Sequence, residues 1–323
     1  MDTCHILPLG PSCIGKTTLV SSVIDALLTT LEQSGGSITA QLGSEDADLL
    51  HKNLQSLRSA SGTLPQTLLE PTARPHAYTV SVGGSASSLL GKLLSGRVSM
   101  QLAFHDYPGA LIDDLPAFTS SVLPLAQAEV LLVPVDASLF MEAASGQEEV
   151  AAQAVHRIVS IEELIVEWEK GRALTTGRGL LIFAPLRCEA YFGDNGMEAK
   201  KEEAERLASL VCNRFFSNIM AIVQFFGENI NCLYVPVDTL GHCRVASREW
   251  DIQNPAFRAT YAMEGEVRPF GCEMIALFIL EYYIRVCRQT SSSKTLEEME
   301  KGLDALIDEF RNKSGYARAL RIC

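Results

Sequence analysis

The chain has 323 residues, of which 47% are hydrophobic and 20% are charged, and its formal net charge is −12. This balance is typical of a globular protein with a substantial core, and the length favours one large or two small domains. An acidic chain without a long Lys/Arg block disfavours direct binding to nucleic acid or to an anionic membrane. The nine cysteines form no Cys-x-x-Cys pair, so we expect reduced thiols and no zinc site.

The cellular location is predicted from the apolar stretches. A predicted strand begins at about residue 4, which leaves no room for a signal peptide. The most apolar long stretch, 269–286, contains Glu273, Glu281 and Arg285, and it is too short and too charged to cross a bilayer. We therefore expect a cytoplasmic protein.

The N-terminal part of the chain is predicted to alternate strands, helices and loops. Apolar runs and period-two alternation indicate strands, apolar residues at helical spacing indicate helices, and Gly, Pro and Ser clusters indicate loops. Pro8 is unusual within its strand, because proline cannot donate to a sheet ladder. The predicted strands are 4–9, 76–82 and 98–104, the helices are 16–31, 45–58 and 85–94, and the loops are 34–43 and 59–75.

The rest of the chain continues the alternation. The run 129–135 is apolar at nearly every position, which is typical of a central parallel strand. The alternation predicts an α/β fold whose mainly parallel sheet is covered on both faces. The predicted strands are 129–135, 179–184, 231–237 and 257–263, and the predicted helices are 148–170, 197–226, 272–288 and 295–310.

Residues 10–17 match the phosphate-loop pattern GxxxxGK[ST], and the predicted strand before them and helix after them provide the required context. The loop amides and the helix N-terminus can bind phosphates, Lys16 can reach the β and γ phosphates, and Thr17 can ligate Mg²⁺. We therefore predict a nucleoside triphosphate and Mg²⁺ as ligands, with Lys16 and Thr17 in catalytic roles. The predicted contacts are Gly10, Ser12, Cys13, Ile14, Gly15, Lys16, Thr17 and Thr18.

A second motif, Asp106-Tyr107-Pro108-Gly109, follows the strand 98–104. At this place Asp106 can hold Mg²⁺ through water, as a catalytic and metal-binding residue, and Gly109 can offer its N–H to the γ-phosphate. By itself the motif is also an ordinary Pro-Gly turn. Its position after a phosphate loop favours the functional interpretation.

The two motifs together resemble those of Ras-like P-loop GTPases of the translation-factor-related class. The resemblance covers roughly residues 3–241, with an insertion at about 32–64, and leaves 242–323 as a C-terminal extension of a strand plus helices packed on the same domain. It implies the three-layer sandwich of P-loop NTPases, with a mainly parallel sheet, one antiparallel strand and a C-terminal helical extension. The antiparallel pair is expected to be the two strands before Asp106.

The layout is also similar to that of bacterial double-GTPase-type proteins of defence and conflict operons. The corresponding residues are Pro65-Gln66-Thr67 and the segment 236–241, which reads Pro-Val-Asp-Thr-Leu-Gly. The resemblance implies a switch-loop threonine that ligates Mg²⁺, with Thr67 as the first candidate and Thr72 as the second. A plain loop threonine is the alternative for both. It also implies a protein partner, either an effector or a complex subunit.

The residues that would read the base depart from the family pattern. After the strand 179–184, Arg187 and Glu189 stand where the family has the Lys and Asp that read guanine, and Thr239 lies in the loop expected to support the base. The resemblance implies GTP or GDP as ligand and does not exclude ATP. A surface Arg and Glu after a strand, and an ordinary turn at Thr239, are the alternatives.

The residues expected for hydrolysis are incomplete as well. Ala110 stands where Ras-like enzymes carry the Gln that orients water. We therefore expect a GTP-binding switch or regulatory GTPase with slow intrinsic hydrolysis, and a subunit of a prokaryotic defence system is one context for it. The alternatives are a non-hydrolysing nucleotide-bound scaffold and a small-molecule kinase, although no Arg-rich lid supports the kinase.

Overall fold

A computed structural model describes residues 3–34, 38–66, 68–84, 98–173, 178–192, 200–225, 229–314 and 320–321. The strands are β1 (Thr3–Pro8), β2 (Ile38–Leu42), β3 (Thr63–Pro65), β4 (His76–Gly84), β5 (Val98–Asp106), β6 (Val130–Asp136), β7 (Gly179–Leu186), β8 (Ile230–Tyr234), β9 (Cys243–Asp251), β10 (Ala256–Met263) and β11 (Leu320–Arg321). The helices are α1 (Lys16–Ser34), α2 (Ser44–Arg58), α3 (Leu115–Ser121), α4 (Ala137–Met141), α5 (Gly146–His156), α6 (Ile158–Ala173), α7 (Lys201–Ser209), α8 (Ser217–Phe225), α9 (Cys272–Thr290) and α10 (Lys294–Ser314).

The central sheet has eight strands in the order β11-β8-β7-β6-β1-β5-β4-β2. The five strands from β8 to β5 run parallel. The strand β4 pairs antiparallel with β5, β2 with β4, and β11 with β8, so β4 and β11 both run against the rest. The mainly parallel α/β sheet is confirmed, but the expectation of one antiparallel strand is wrong. Pro8 is the last residue of β1, where the ladder is ending.

Helices cover both faces of this sheet, which is compatible with a three-layer sandwich. One face packs against α1, α2, α9 and α10, with side chains such as Ile6 and Phe104 between the layers. The other face packs against the helices from α3 to α8, with Leu7 and Val133 at its centre. The alternation of inward side chains along β1 therefore contributes to two apolar cores, one on each side of the sheet.

The C-terminal helices belong to the first of these cores. Helix α9 packs along α1, and α10 packs along α9. Ile279 of α9 and Met299 of α10 are fully buried in the same apolar cluster as Leu19 of α1. The C-terminal part of the chain therefore packs against α1, the helix that begins with Lys16 and Thr17.

A small second sheet has the order β3-β10-β9 and is antiparallel throughout. Its inner side chains, including Leu64 and Tyr261, join the second core. The strand predicted at 257–263 is confirmed as β10. The strands β3 and β9 were not predicted, because most of their residues are exposed and they show no apolar alternation.

Several predicted elements need correction. The predicted loop 34–43 contains β2, which adds to the sheet edge at β4. The predicted helix 148–170 is two helices, because Arg157 adopts a left-handed φ of 56° between α5 and α6. The predicted helix 197–226 is interrupted by a π-helical stretch, Leu210–Phe215, between α7 and α8. The predicted helix 85–94 lies outside the described residues.

None of the described helices alone is long and apolar enough to cross a bilayer, whereas one bent pair, Lys201–Phe215 with Ser217–Phe225, has the length and composition of a membrane span.

Candidate functional site

The loop 10–15 connects the end of β1 to the first turn of α1, and its backbone is held in a conformation that few sequences permit. Gly15 has a φ of 101° and Cys13 a φ of 66°, both in the left-handed region. A Cβ added to Gly15 would lie 2.7 Å from Cδ1 of Leu186. The loop thus turns tightly over the end of the sheet and leads into a helix N-terminus without acidic residues in its first turn, where an anion is stabilised.

Lys16 lies across this loop. Its Nζ donates to the carbonyl oxygens of Gly10 at 2.9 Å and Pro11 at 2.8 Å, and it lies 5.3 Å from the ring centroid of Tyr107. An ammonium group has three donors, so these bonds to the described residues leave one N–H for a ligand. Burial lowers the pKa of Lys16 to about 8, against the attraction of Asp106.

Three oxygen-bearing side chains meet beside the loop. Oγ1 of Thr17 donates to Oδ2 of Asp106 at 2.9 Å, Oγ1 of Thr72 donates to the same atom at 2.7 Å, and the two hydroxyl oxygens are 2.9 Å apart. Asp106 is buried, and its Oδ1 has no hydrogen-bond partner among the described residues. Hydroxyl and carboxylate oxygens are hard ligands of the kind that Mg²⁺ prefers.

The motif 106–109 is fixed against the phosphate loop. Asp106 is the last residue of β5, which neighbours β1. The hydroxyl of Tyr107 donates to the carbonyl of Pro8, and its ring packs edge-on against Phe118. A Cβ on Gly109 would lie 2.1 Å from the backbone N of Ser12. Only glycine allows the two backbones to approach this closely.

Residues 66 and 68–72, here called the covering segment, lie over the phosphate loop. They line a cavity of about 60 Å³ together with Ser12, Cys13 and the residues from Gly15 to Thr18. Thr72, the last residue of this segment, contacts Asp106. Thr67, the first candidate for the switch threonine, lies outside the described residues, and the structure brings the second candidate, Thr72, to the site.

Arg187 is buried beside the covering segment. Its Nη1 donates to Oδ2 of Asp136 at 2.7 Å and its Nη2 donates to the carbonyl oxygen of Gln66 at 2.5 Å, while the guanidinium lies 5.2 Å from the ring of Tyr261. Burial raises the pKa of Asp136, but Arg187 and the hydrogen bonds from Ser138 and Gln66 outweigh it and hold that pKa below its ordinary value. The ion pair is therefore charged on both sides.

Glu189 and Thr239 are close to Arg187 but have internal partners. The carboxylate of Glu189 accepts from the backbone N of Thr239 at 3.1 Å and of Leu240 at 2.7 Å. Oγ1 of Thr239 accepts from the backbone N of Arg187 at 2.9 Å. Burial raises the pKa of Glu189, and the two backbone donors oppose that shift. The three residues predicted to contact the base therefore lie close together. Hydrogen bonds between them join the loop after β7 to the loop after β8.

The sequence predictions missed part of this arrangement. Asp136 caps α4, because its Oδ1 accepts from the backbone N of Ser138 at 3.1 Å. Its second oxygen binds Arg187 and Nε2 of Gln66. The available signal was its place at the carboxyl end of β6, since carboxyl ends of adjacent parallel strands meet at one edge. No signal pointed to Tyr261, which comes from the small sheet.

The described residues contain no group of three or more His, Cys, Asp or Glu side chains that could hold a metal ion, so a metal here would depend on the threonine hydroxyls. No protein-family model matches the chain, and a comparison with curated proteins finds no significant match. The assignment of the site therefore depends on its geometry and its motifs.

Proposed function

We propose that this chain is a Mg²⁺-dependent nucleoside-triphosphate switch with slow intrinsic hydrolysis, and that it belongs with regulatory GTPases in its mode of action. The observation that carries the proposal is the convergence of Thr17, Thr72 and Asp106 beside the loop that holds Lys16. A phosphate loop, a helix N-terminus and three hard oxygens are the groups that a triphosphate with its metal requires.

The donor set fits Mg²⁺. Thr17 and Thr72 would supply hydroxyl oxygens, and the unpartnered Oδ1 of buried Asp106 would gain a partner through a metal-bound water. When bound, Mg²⁺ supplies charge neutralisation at the β and γ phosphates. The chain itself contributes the free N–H of Lys16 and the backbone N–H groups of the loop and of Gly109.

The covering segment gives the site two states. Thr72 contacts Thr17 and Asp106 directly, so binding of Mg²⁺ and a γ-phosphate by these residues would change the hydrogen bonds that hold the segment. The cavity between the segment and the phosphate loop has a volume of about 60 Å³, room for only a few water molecules, so residues 68–72 would move aside to admit a triphosphate. Ordering and release of such a segment is an established switching device in nucleotide-binding proteins.

Slow hydrolysis follows from Ala110. This residue lies in a short 3₁₀ turn directly after Gly109, and its methyl group cannot orient a water molecule for attack. An arginine supplied by a protein partner would raise the rate by roughly 10³- to 10⁵-fold. A non-hydrolysing scaffold is the second candidate that Ala110 supports, and it predicts that bound triphosphate stays intact for hours.

The proposal is tested by titrating the chain with fluorescent mant-GTP and mant-ATP, with Mg²⁺ and with EDTA. We expect Mg²⁺-dependent binding that Lys16→Ala abolishes and that Lys52→Ala, at an exposed position of α2, leaves unchanged. Binding of neither nucleotide to the folded wild-type protein would contradict the proposal.

Thr72 provides the second arm of the test. We expect Thr72→Val to weaken binding about tenfold or more in Mg²⁺, because a hydrogen bond to a charged group contributes about 1.5–3 kcal/mol. In EDTA the variant should match the wild type. Thr63→Val on β3, at an exposed position, is the matched control.

A further inference from the structure

The edge of the sheet on the β6, β7 and β8 side is where a nucleoside attached to the bound phosphates would lie. Asp106 and Thr72 occupy the β5 side of the phosphate loop. In open α/β sheets ligands bind outside the carboxyl ends of the strands. The nucleoside therefore has the loops after β6, β7 and β8 as its neighbours, which contain Asp136, Arg187 and Thr239.

This region is filled by the chain itself. A cavity of about 20 Å³, with room for one or two water molecules, lies there. This cavity is adjacent to the cavity over the phosphate loop, because the two have five lining residues in common. These are Gly15, Thr18, Gln66, Leu68 and Arg187. Pro65 of β3 and Tyr261 of β10 also line the smaller cavity.

The groups that close it are bonded into one buried network. Tyr261 and Ser138 are joined through their hydroxyls at 2.5 Å, and Oγ of Ser138 donates to Oδ1 of Asp136. The other oxygen of Asp136 binds Arg187 and the side chain of Gln66. The charges of Asp136 and Arg187 are thus already paired within the protein. A base that displaced one of the two side chains from the other would leave a buried charge unpaired.

Glu189, the residue that would accept hydrogen bonds from guanine, lines neither of these two cavities. Both its oxygens accept backbone N–H groups of the loop after β8, and its side chain is buried. Its role in the structure is to hold that loop. Arg187 likewise donates to the carbonyl of Gln66 and so holds the covering segment, instead of stacking on a planar base.

We propose, on the basis of the proposed function, that this site recognises a Mg²⁺-bound polyphosphate chain and does not select the base attached to it. The ligand class is then any nucleoside triphosphate, or inorganic tripolyphosphate. The phosphate loop, Lys16 and the Thr17–Thr72–Asp106 group supply the recognition. The network around Arg187 and Asp136 holds the small sheet and the covering segment where other nucleotide-binding sites would receive a base.

The test is calorimetric titration of the wild-type chain with GTP, ATP, CTP and tripolyphosphate, each with Mg²⁺. A site built to hydrogen-bond a base rejects an analogue without those groups by roughly 10⁴-fold, whereas we expect the three nucleotides within about threefold of each other and tripolyphosphate within about tenfold of them. GTP binding more than about thirtyfold tighter than ATP, or tripolyphosphate binding more than about a hundredfold weaker than GTP, would overturn the inference and leave the proposed function standing. Binding of none of the four ligands would remove the proposed function as well.

Glu189→Gln supplies an independent readout. The ratio of GTP to ATP affinity is unaffected by a general loss of stability. We expect that ratio to stay unchanged in the variant, since the carboxylate holds a loop and reads no base. A ratio that shifts towards ATP by about tenfold or more would show that Glu189 reads guanine.

Discussion

At the scale of single residues, Gly109 determines how closely two backbones approach at the site. A Cβ at this position would lie 2.1 Å from the N of Ser12 and 2.3 Å from the carbonyl carbon of Pro11, and neither backbone atom can rotate away. We expect Gly109→Ala to push the phosphate loop aside and to lower triphosphate affinity by about tenfold or more, since one lost charge-assisted bond corresponds to about 1.5–3 kcal/mol.

Gly146 provides the matched control for this prediction. It is the first residue of α5, and nothing lies within 4 Å of a Cβ added there. Gly146→Ala should bind like the wild type when both variants are titrated with the same mant-nucleotide. Equal affinities for Gly109→Ala and the wild type would show that the loop tolerates the displacement.

Lys16 makes binding dependent on pH. Burial lowers the pKa of Lys16 from its ordinary value of 10.5 to about 8, so the ammonium group of the protein without ligand loses a proton as the pH rises through 8. A triphosphate needs the charged ammonium and raises the pKa again, so binding must take up a proton above that pH. We expect an uptake of about half a proton at pH 8 and nearly none at pH 6.5.

The uptake is measured by calorimetry in two buffers of different ionisation enthalpy. The affinity should fall as the pH rises above about 8, in step with the uptake. An affinity that is constant from pH 7 to pH 9, with no buffer dependence of the heat, would contradict this role of Lys16.

At the scale of elements, the buried pair of Arg187 and Asp136 joins the ends of β6 and β7 to the covering segment. The side chain of Asp136 is 0% exposed and that of Arg187 is 9% exposed. Removal of one partner leaves a buried charge alone, so Asp136→Leu and Arg187→Met should each lower the free energy of unfolding by about 3–5 kcal/mol. The double variant should lose much less than the sum of the two losses.

Urea denaturation of the two single variants and the double variant measures this coupling. The exposed pair of Arg206 and Glu203 on α7, at 3.3 Å, is the control, and its loss should change the free energy of unfolding by less than about 1 kcal/mol. Additive losses at Asp136 and Arg187 would mean that the two charges do not depend on each other for stability.

The same scale shows why sequence patterns predicted some elements and not others. The strands β1, β6 and β7 are buried on both faces, so their apolar runs were sufficient to predict them. The strand β9 pairs with β10 on one side only and is largely exposed, so its composition is that of a surface loop. Pairing across many residues of sequence determines such a strand, and period-two patterns do not record that pairing.

The candidate site divides in a similar way. Gly10 to Thr17 and Asp106 to Gly109 were predicted, because each motif is continuous in sequence. Thr72 was expected only as the second candidate after Thr67, because its contact with Asp106 depends on how the covering segment packs. The contact of Tyr261 with Ser138 was not predicted, because it depends on where the small sheet packs. The internal partners of Glu189 likewise come from the loop after β8, about 50 residues away.

At the scale of the whole molecule, one tryptophan lies in each of the two parts predicted for the chain, 1–241 and 242–323. Trp168 lies on α6, fully buried, with its Nε1 donating to the carbonyl of Ala128 at 2.8 Å. Trp250 lies on β9 and packs against Phe257 in the C-terminal part. Each therefore reports on a different side of the boundary predicted at residue 241.

The packing of α9 on α1, and of the small sheet on the second core, predicts that both parts unfold together. The variant Trp250→Phe keeps Trp168 as its fluorescent probe, and the variant Trp168→Phe keeps Trp250. For each variant we expect the urea midpoint measured by fluorescence to equal the midpoint measured by far-UV circular dichroism. Comparing two probes within one variant removes the effect of the substitution itself on stability. A lower fluorescence midpoint for Trp250 alone would mean that 242–323 unfolds first, and α1 would then lose the helix that supports it from behind while the phosphate loop was still folded.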